Sequence, residues 1–312
     1  MEAKIGLALG GGGARGLAHI GVLRVLEREG IPLSCIAGSS MGAIIGGAYA
    51  YWQNSDAVEE FIKELIEQSS FQNILHHLSY LFGESGHEHK ESFFTYLKSR
   101  LSLLKAINNN ALLDNQTVKA IFEFFTDKAI ENLPLKFCAI ATDLLSGQEI
   151  VLDKGSLKKA LMASSAIPVI FPPVEQDGCL LVDGSTSDSV PVHILKERGA
   201  NRVVAVNVTK CIRKIVPLSN AMHIMYRADE IATFHLTMER LAGADFVIRP
   251  NVGGILWYNF RKYKDIIALG EQATKEALPD IKRLLKINIK EMIKHRFHFH
   301  FAYSHKRRTS YF

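Results

Sequence analysis

Two glycine-rich turns near the N-terminus hold the residues whose types and spacing suit chemistry. The segment Gly38-Ser39-Ser40-Met41-Gly42 is a Gly-x-Ser-x-Gly pentapeptide, which presents Ser40 on a tight strand-to-helix turn. Gly38 and Gly42 are needed because a Cβ at either position would strike the neighbouring strand or helix. The serine is driven outward, at the positive end of the helix that follows, where developing oxyanion charge is stabilised. Upstream lies Gly10-Gly11-Gly12-Gly13-Ala14-Arg15-Gly16. Successive glycine N–H groups there offer a cradle for negative charge. Together the two turns suggest a serine hydrolase.

The upstream loop also fits Gly-x-Gly-x-x-Gly, the fingerprint of a dinucleotide site. That site needs an acidic residue at the end of the second strand to bind a ribose hydroxyl. The second strand ends Ile36-Ala37-Gly38-Ser39 without one, and Glu27 and Glu29 come too early. An oxyanion hole formed by Gly11, Gly12 and Gly13 fits better, with Arg15 bracing the loop or drawing in an anionic headgroup.

A nucleophilic serine also needs a base. An α/β-hydrolase would supply a late histidine, but His295, His298, His300 and His305 lie in a basic tail beyond the last expected helix. His19 sits near the glycine loop, where a lone histidine reads as structural, and His193, His223 and His235 have no distinguishing context. Asp183 ends the apolar stretch Leu180-Leu181-Val182 and is followed by Gly184-Ser185. A carboxylate there, on the same rim as Ser40, can take the serine proton directly, although Asp-Gly alone is a common turn signal.

Four blocks in order carry a resemblance: Gly11 to Gly16, Gly38 to Gly42, Ala163-Ser164-Ser165-Ala166-Ile167-Pro168 with Phe171-Pro172-Pro173-Val174, and Leu181-Val182-Asp183-Gly184. The chain resembles the bacterial patatin-like phospholipases, clearly over residues 5–210 and more weakly to about 280. The resemblance implies a Ser40–Asp183 dyad in place of a triad: Ser40 as nucleophile, Asp183 as proton acceptor, and Gly11, Gly12 and Gly13 as oxyanion hole. Arg15, Gly16, Gly38, Gly42 and Gly184 support it, an acyl-enzyme is hydrolysed by water, and no cofactor or metal is required. The substrate implied is a phospholipid, a lysophospholipid or a small ester. One departure stands out: the usual Asp-Gly-Gly or Asp-Gly-Ala is Asp183-Gly184-Ser185 here, which puts contacts near the base in question. A non-catalytic lipid-binding module on the same fold, an α/β-hydrolase triad and a dinucleotide binder remain the competing readings.

The elements that must position these residues read as an α/β chain. Strands are expected at Lys4 to Leu9 and Leu33 to Ala37, with helices at Gly16 to Glu29, Ala43 to Trp52 and Asp56 to about Gln68. Further strands fall at Phe137 to Thr142, Gln148 to Leu152, Leu180 to Val182, Val203 to Val208 and Phe246 to Ile248, and helices at Ser156 to Ser164 and Lys262 to Leu278. This strand-turn-helix grammar predicts a three-layer α/β/α fold with a mainly parallel sheet and ligands at the carboxyl ends of strands. Residues 69–115 change character, mixing aromatics with a polar loop, and read as a helical cap insertion. Residues 211–284 complete the domain, and 285–312 form a basic aromatic tail.

The 312 residues, 47% hydrophobic and 22% charged, suffice for a large buried core. The formal net charge of +5 is mostly a property of the tail, where Ile281 to Phe312 holds nine Lys or Arg residues against the single acid Glu291. Interleaved with aromatics, as in Lys294-His295-Arg296-Phe297, it suits peripheral contact with an anionic membrane, and no specific nucleic acid is expected. Cys35, Cys138, Cys179 and Cys211 are too scattered for a disulfide framework or zinc module. Neither a signal peptide nor a spanning helix is legible, so a cytoplasmic enzyme is expected, in peripheral contact with membrane. His76-His77 and His87-x-His89 lack a completing carboxylate or cysteine and do not define a metal site.

Overall fold

A computed structural model of the chain describes residues 5–82, 111–123, 125, 127–212 and 221–286. Among the described residues one sheet of eight strands forms the frame, in the order β5-β6-β3-β2-β1-β7-β8, with β4 pairing β3 off that path. The strands are β1 (Ile5–Leu9), β2 (Leu33–Ser39), β3 (Lys136–Asp143), β4 (Glu149–Leu152), β5 (Val174–Gln176), β6 (Cys179–Asp183), β7 (Arg202–Val206) and β8 (Phe246–Ile248). Pairs β1/β2, β1/β7, β2/β3 and β7/β8 are parallel, whereas β4 and β6 run antiparallel to β3 and β5 runs antiparallel to β6.

The central strands are buried on both faces, as their unbroken apolar sequences require. Alternation then sends Leu7, Leu9, Val204 and Val206 to the larger core and Ala8, Val203, Ala205 and Ile140 to a smaller one. The larger core is covered by α1 (Ala18–Arg28), α2 (Met41–Trp52), α6 (Leu157–Ser164) and α9 (Tyr263–Lys286). Helices α3 (Ser55–Glu67), α4 (Ser69–Phe82) and α5 (Asn115–Phe122) extend that layer outward. The opposite face packs on α7 (Val192–Glu197) and on Leu241 at the end of α8 (Ala221–Leu241). Three layers result.

Most expected elements fall where the sequence places them. Two differ in extent. Helix α9 continues through Pro279 to Lys286 instead of stopping at Leu278, because Ala277 and Ile281 on either side of the proline both pack into the core. Residues 69–82 of the expected cap form α4, whose Phe71, Ile74, Leu75 and Leu78 join the main core. Residues 83–110 and the basic tail beyond Lys286 lie outside the described residues. Helix α8 has no strong apolar stripe and was not anticipated.

Arg24 on α1 ties three helices together. Its guanidinium meets Asp56 at 2.9 Å, Glu271 at 3.0 Å and Glu59, while the side chain itself is only 9% exposed. Removing one partner of a buried charge cluster leaves the others uncompensated, although the exposure of Asp56 moderates the loss. Arg24→Ala is therefore expected to lower unfolding free energy by about 2 kcal/mol, as read from the urea midpoint, with a smaller penalty at high salt.

Candidate active site

The loops after β1 and β2 meet at the point where the sheet reverses direction of growth, since β1 lies between β2 and β7. Such a crevice beyond the carboxyl ends of parallel strands is the usual place for a ligand in an open α/β sheet. The chain leaves β2 at Ser39 and turns into α2 through Ser40, whose φ of 53° and ψ of −123° are rare for any residue but glycine. The turn closes because Gly42 lies on the carbonyls of Leu9 and Gly10, and Gly38 on the carbonyl of Gly42, with no room for a Cβ at either place. Ala43 N and Ile44 N donate to the Ser40 carbonyl at 2.9 and 3.1 Å, beginning α2 directly beneath the serine.

Asp183 arrives from the other side of β3. Strand register places Ser39 opposite Ile140 and Asp183 opposite Ala141, so Ser40 and Asp183 flank β3 at the same level. Because β6 is antiparallel, its carboxyl end reaches the middle of β3. The rim shared by the two residues is thus built by register, a feature that spacing in the sequence does not encode. Ser40 is 6% and Asp183 4% exposed.

Burial pushes the Asp183 carboxyl up to about 6, against the opposing help of the Ser40 hydroxyl and the Ser185 amide and hydroxyl, while the Asp229 charge raises it further. The Ser185 N–H donates to Asp183 Oδ1 at 2.8 Å. A carboxylate with this raised proton affinity is still mostly ionised at neutral pH and is a better base than an exposed one.

The segment Ala163 to Ala166, within the block that carries the family resemblance, holds both residues. Ser40 N donates to the carbonyl of Ser164 at 3.1 Å and to its Oγ at 3.1 Å, and Asp183 N donates to the carbonyl of Ala166 at 3.0 Å. A second brace comes from the stretch after β6. Ser39 Oγ donates to the Asp188 carbonyl at 2.5 Å, and Gly11 N to the Ser189 carbonyl at 2.9 Å. Asp188 is in turn held by His193, whose ring nitrogens lie 3.1 Å from Asp188 Oδ2 and 3.1 Å from Glu149 Oε1. The two carboxylates raise the His193 imidazole to about 9. Ser164 enters the sequence reading only as part of the Ala163 to Pro168 block and Asp188 not at all, since each acts in large part through its backbone.

The glycine loop borders both side chains. A Cβ on Gly11 would meet Ser185 Oγ and would come within 3.2 Å of Ser40 Cβ. The Gly11 amide is bonded to the Ser189 carbonyl, so among the three glycines expected to form an oxyanion hole Gly11 supplies clearance beside Ser40 and Ser185. The amides of Gly12 and Gly13 have no acceptor among the described residues. Gly13 adopts φ 57° against the carbonyl of Trp257, which accepts from Ala14 N at 2.6 Å. Arg15 Nε donates to the Gly12 carbonyl at 3.3 Å, as a brace would. Gly16 lets the loop close on Met41, and Gly184 lets the chain after Asp183 pass the carbonyl of Ile140.

His19 serves the loop as well. Its Nε2 lies 2.7 Å from the Gly10 carbonyl, and complete burial lowers its pKa to about 4, so the neutral ring donates to that carbonyl. Of the tempting histidine pairs, His76 lies on α4, whereas His87 and His89 are outside the described residues.

From Ser40 an apolar cavity runs outward beneath α3, α4 and α5. Ile62, Leu65, Phe71, Leu75, Leu78 and Phe122 line it together with Trp257 and Phe260, and Gly13 and Ser40 border it. The region read as a cap therefore provides one wall of a hydrocarbon-lined space that the candidate nucleophile borders.

A model described as patatin-like phospholipase matches residues 7–196, and the chain belongs to that family. Its curated relatives include an uncharacterized NTE family protein of Mycobacterium tuberculosis, 35% identical over 205 residues, which cover 66% of this chain and 49% of that protein. Lysophospholipase NTE1 of Candida albicans is 29% identical over 205 residues, covering 65% of this chain and 13% of that protein. The chain thus spans about half the length of the mycobacterial relative and a small part of the fungal one. Among solved structures, VipD from Legionella pneumophila aligns with a TM-score of 0.49 at 14% identity, over 89% of this chain and 67% of that one. Among the described residues no helix is long and apolar enough to cross a membrane.

The raised Asp183 pKa has a consequence for stability. In the unfolded chain the group titrates near 3.8 and in the fold near 6, so its ionisation costs the folded state on the order of 3 kcal/mol once the pH exceeds both values. That cost disappears as pH falls below 3.8. Asp183→Asn, which keeps an oxygen for the Ser185 amide, is expected to raise the melting temperature at pH 7.5 and to lose that advantage towards pH 4. Calorimetry across this range checks it, and a variant less stable than wild type at pH 7.5 would contradict the burial argument.

Proposed function

We propose that this chain is a serine acyl-ester hydrolase acting on phospholipid or lysophospholipid esters through Ser40 and Asp183. The observation that carries the reading is the position of the buried pair: Ser40 stands beside a carboxylate of raised proton affinity, next to the unsatisfied amides of Gly12 and Gly13, in the wall of an apolar cavity. The core spans residues 5–210, with the cap segment contributing one cavity wall through Phe71, Ile74, Leu75 and Leu78, and 211–284 completing the domain.

In this reading an acyl chain lies in the cavity and brings its ester carbonyl to Ser40. Each methylene taken from water contributes about 0.8 kcal/mol of binding. Asp183 takes the Ser40 proton as Oγ attacks the carbonyl carbon. The tetrahedral oxyanion is held by the Gly12 and Gly13 amides, with the N-terminal end of α2 favouring the same charge. Collapse expels the alcohol, which receives the proton from Asp183, and leaves an acyl-Ser40 ester. Water then attacks that ester with Asp183 again accepting a proton, and the free fatty acid leaves as Asp183 returns the proton to Ser40 Oγ. The family and the NTE1 relative support an ester of a lipid, and the apolar lining supports a long acyl chain. A peripheral approach to membrane by the basic tail fits the same substrate.

Two experiments address this reading. A fluorophosphonate probe should label wild type and spare Ser40→Ala, and Asp183→Asn should reduce the labelling rate by about 10²- to 10⁴-fold, the usual worth of a general base. Labelling that persists in Ser40→Ala removes the proposal. Filling the cavity with Leu75→Trp should lower kcat/KM for long-chain esters by about fourfold per methylene excluded while sparing acetyl and butyryl esters; an equal loss on all chain lengths would place the acyl group elsewhere.

A further inference from the structure

The hydroxyl of Ser185 is buried at the centre of the candidate site, near enough to the Asp183 carboxylate to oppose its protonation but, as placed, short of a well-formed hydrogen bond to any described residue. An unsatisfied buried hydroxyl costs about 1–3 kcal/mol, so its surroundings matter. It touches the face of Gly11, which also borders Ser40 Cβ, and its own backbone N–H is bonded to Asp183 Oδ1 at 2.8 Å. The hydroxyl thus occupies the space between the glycine loop, the nucleophile and the base. It is also the group that departs from the glycine or alanine expected after Asp-Gly in the patatin-like pattern.

We propose that Ser185 is a positioning residue for the base: its hydroxyl turns to donate to the ionised Asp183 carboxylate, adding a second bond to that of its own amide. This rests on the reading of Asp183 as proton acceptor. The carboxylate then has three donors in reach, the Ser185 amide, the Ser185 hydroxyl and the Ser40 hydroxyl. When Asp183 takes the Ser40 proton it becomes neutral, and the Ser185 hydroxyl is released. The bond thereby favours the ready, ionised state and lets the enzyme work at lower pH than burial alone would permit. Removing the hydroxyl leaves burial and the Asp229 charge to oppose ionisation with less resistance. Asp229, on α8, is an ionisable group whose charge Asp183 also feels, and it acts in the same direction in wild type and variant.

The test is the pH dependence of fluorophosphonate labelling of Ser40 in wild type, Ser185→Ala and Ser185→Gly, between pH 4.5 and 8.5. The wild-type rate should rise along an acid limb near pH 6, and in both variants the limb should move up by about one pH unit while the rate at pH 8.5 stays within about twofold. At pH 5.5 the variants should therefore label several-fold more slowly than wild type. Asp229→Asn is the control: it should move the limb down in all three backgrounds. A uniform loss at every pH with an unmoved limb would give Ser185 a packing role only and overturn the inference, as would three coincident profiles. Wild type that fails to label at any pH would instead remove the Ser40–Asp183 reading itself.

Discussion

The backbone of Ser40 is held at φ 53°, ψ −123°, a conformation costing on the order of 1–3 kcal/mol for a residue with a side chain. Such strain persists only when the surroundings leave no relaxed alternative. Here Gly42 is pressed onto the end of β1, Gly38 onto Gly42, and the Ser40 amide onto both the carbonyl and hydroxyl of Ser164. Relaxing the serine would require β1, β2 and α6 to move together. The same closure sets the glycine loop over Ser40, because that loop begins where β1 ends.

The second requirement is a carboxylate that is buried yet usable. Fully exposed, Asp183 would be a weak base; fully buried without donors, it would stay protonated at neutral pH. Its place opposite Ala141 removes it from water, and the donors from Ser185 and Ser40 return part of the lost solvation. The site is therefore maintained against the stability of the fold, by strain at one residue and by an unfavourably buried charge at the other. The core that bears this is large, with β1 and β7 buried throughout and α1 and α9 packed together above them.

Much of this was legible in the residues, for reasons that differ by element. The elbow was readable because a turn so tight accepts only glycine at positions 38 and 42, a local constraint written in local sequence. The buried strands were readable from their continuous apolar runs. Pairing Ser40 with Asp183 instead of a histidine came from the order of four motifs and from the absence of a well-placed late histidine. What was not legible depends on register and direction. That β6 runs antiparallel and brings Asp183 level with Ser40 is fixed by long-range pairing, and that Gly11 spends its amide on Ser189 depends on a carbonyl nearly 180 residues away. Apart from the Ser164 hydroxyl, Ser164 and Asp188 brace the site through main-chain carbonyls that any residue possesses, so their types gave little signal. Helix α9 runs past Pro279 because packing on both sides of it outweighs a breaker that local rules would obey.

The central claim is that Ser40 forms the covalent intermediate. Rapid acid quenching of the wild-type protein during turnover of a long-chain lysophospholipid or p-nitrophenyl ester, followed by peptide mass mapping, tests it directly. The account predicts the acyl mass on the tryptic peptide that contains Ser40. Turnover with the acyl group on any other residue, or with no acylated peptide under conditions where deacylation limits the rate, would contradict it.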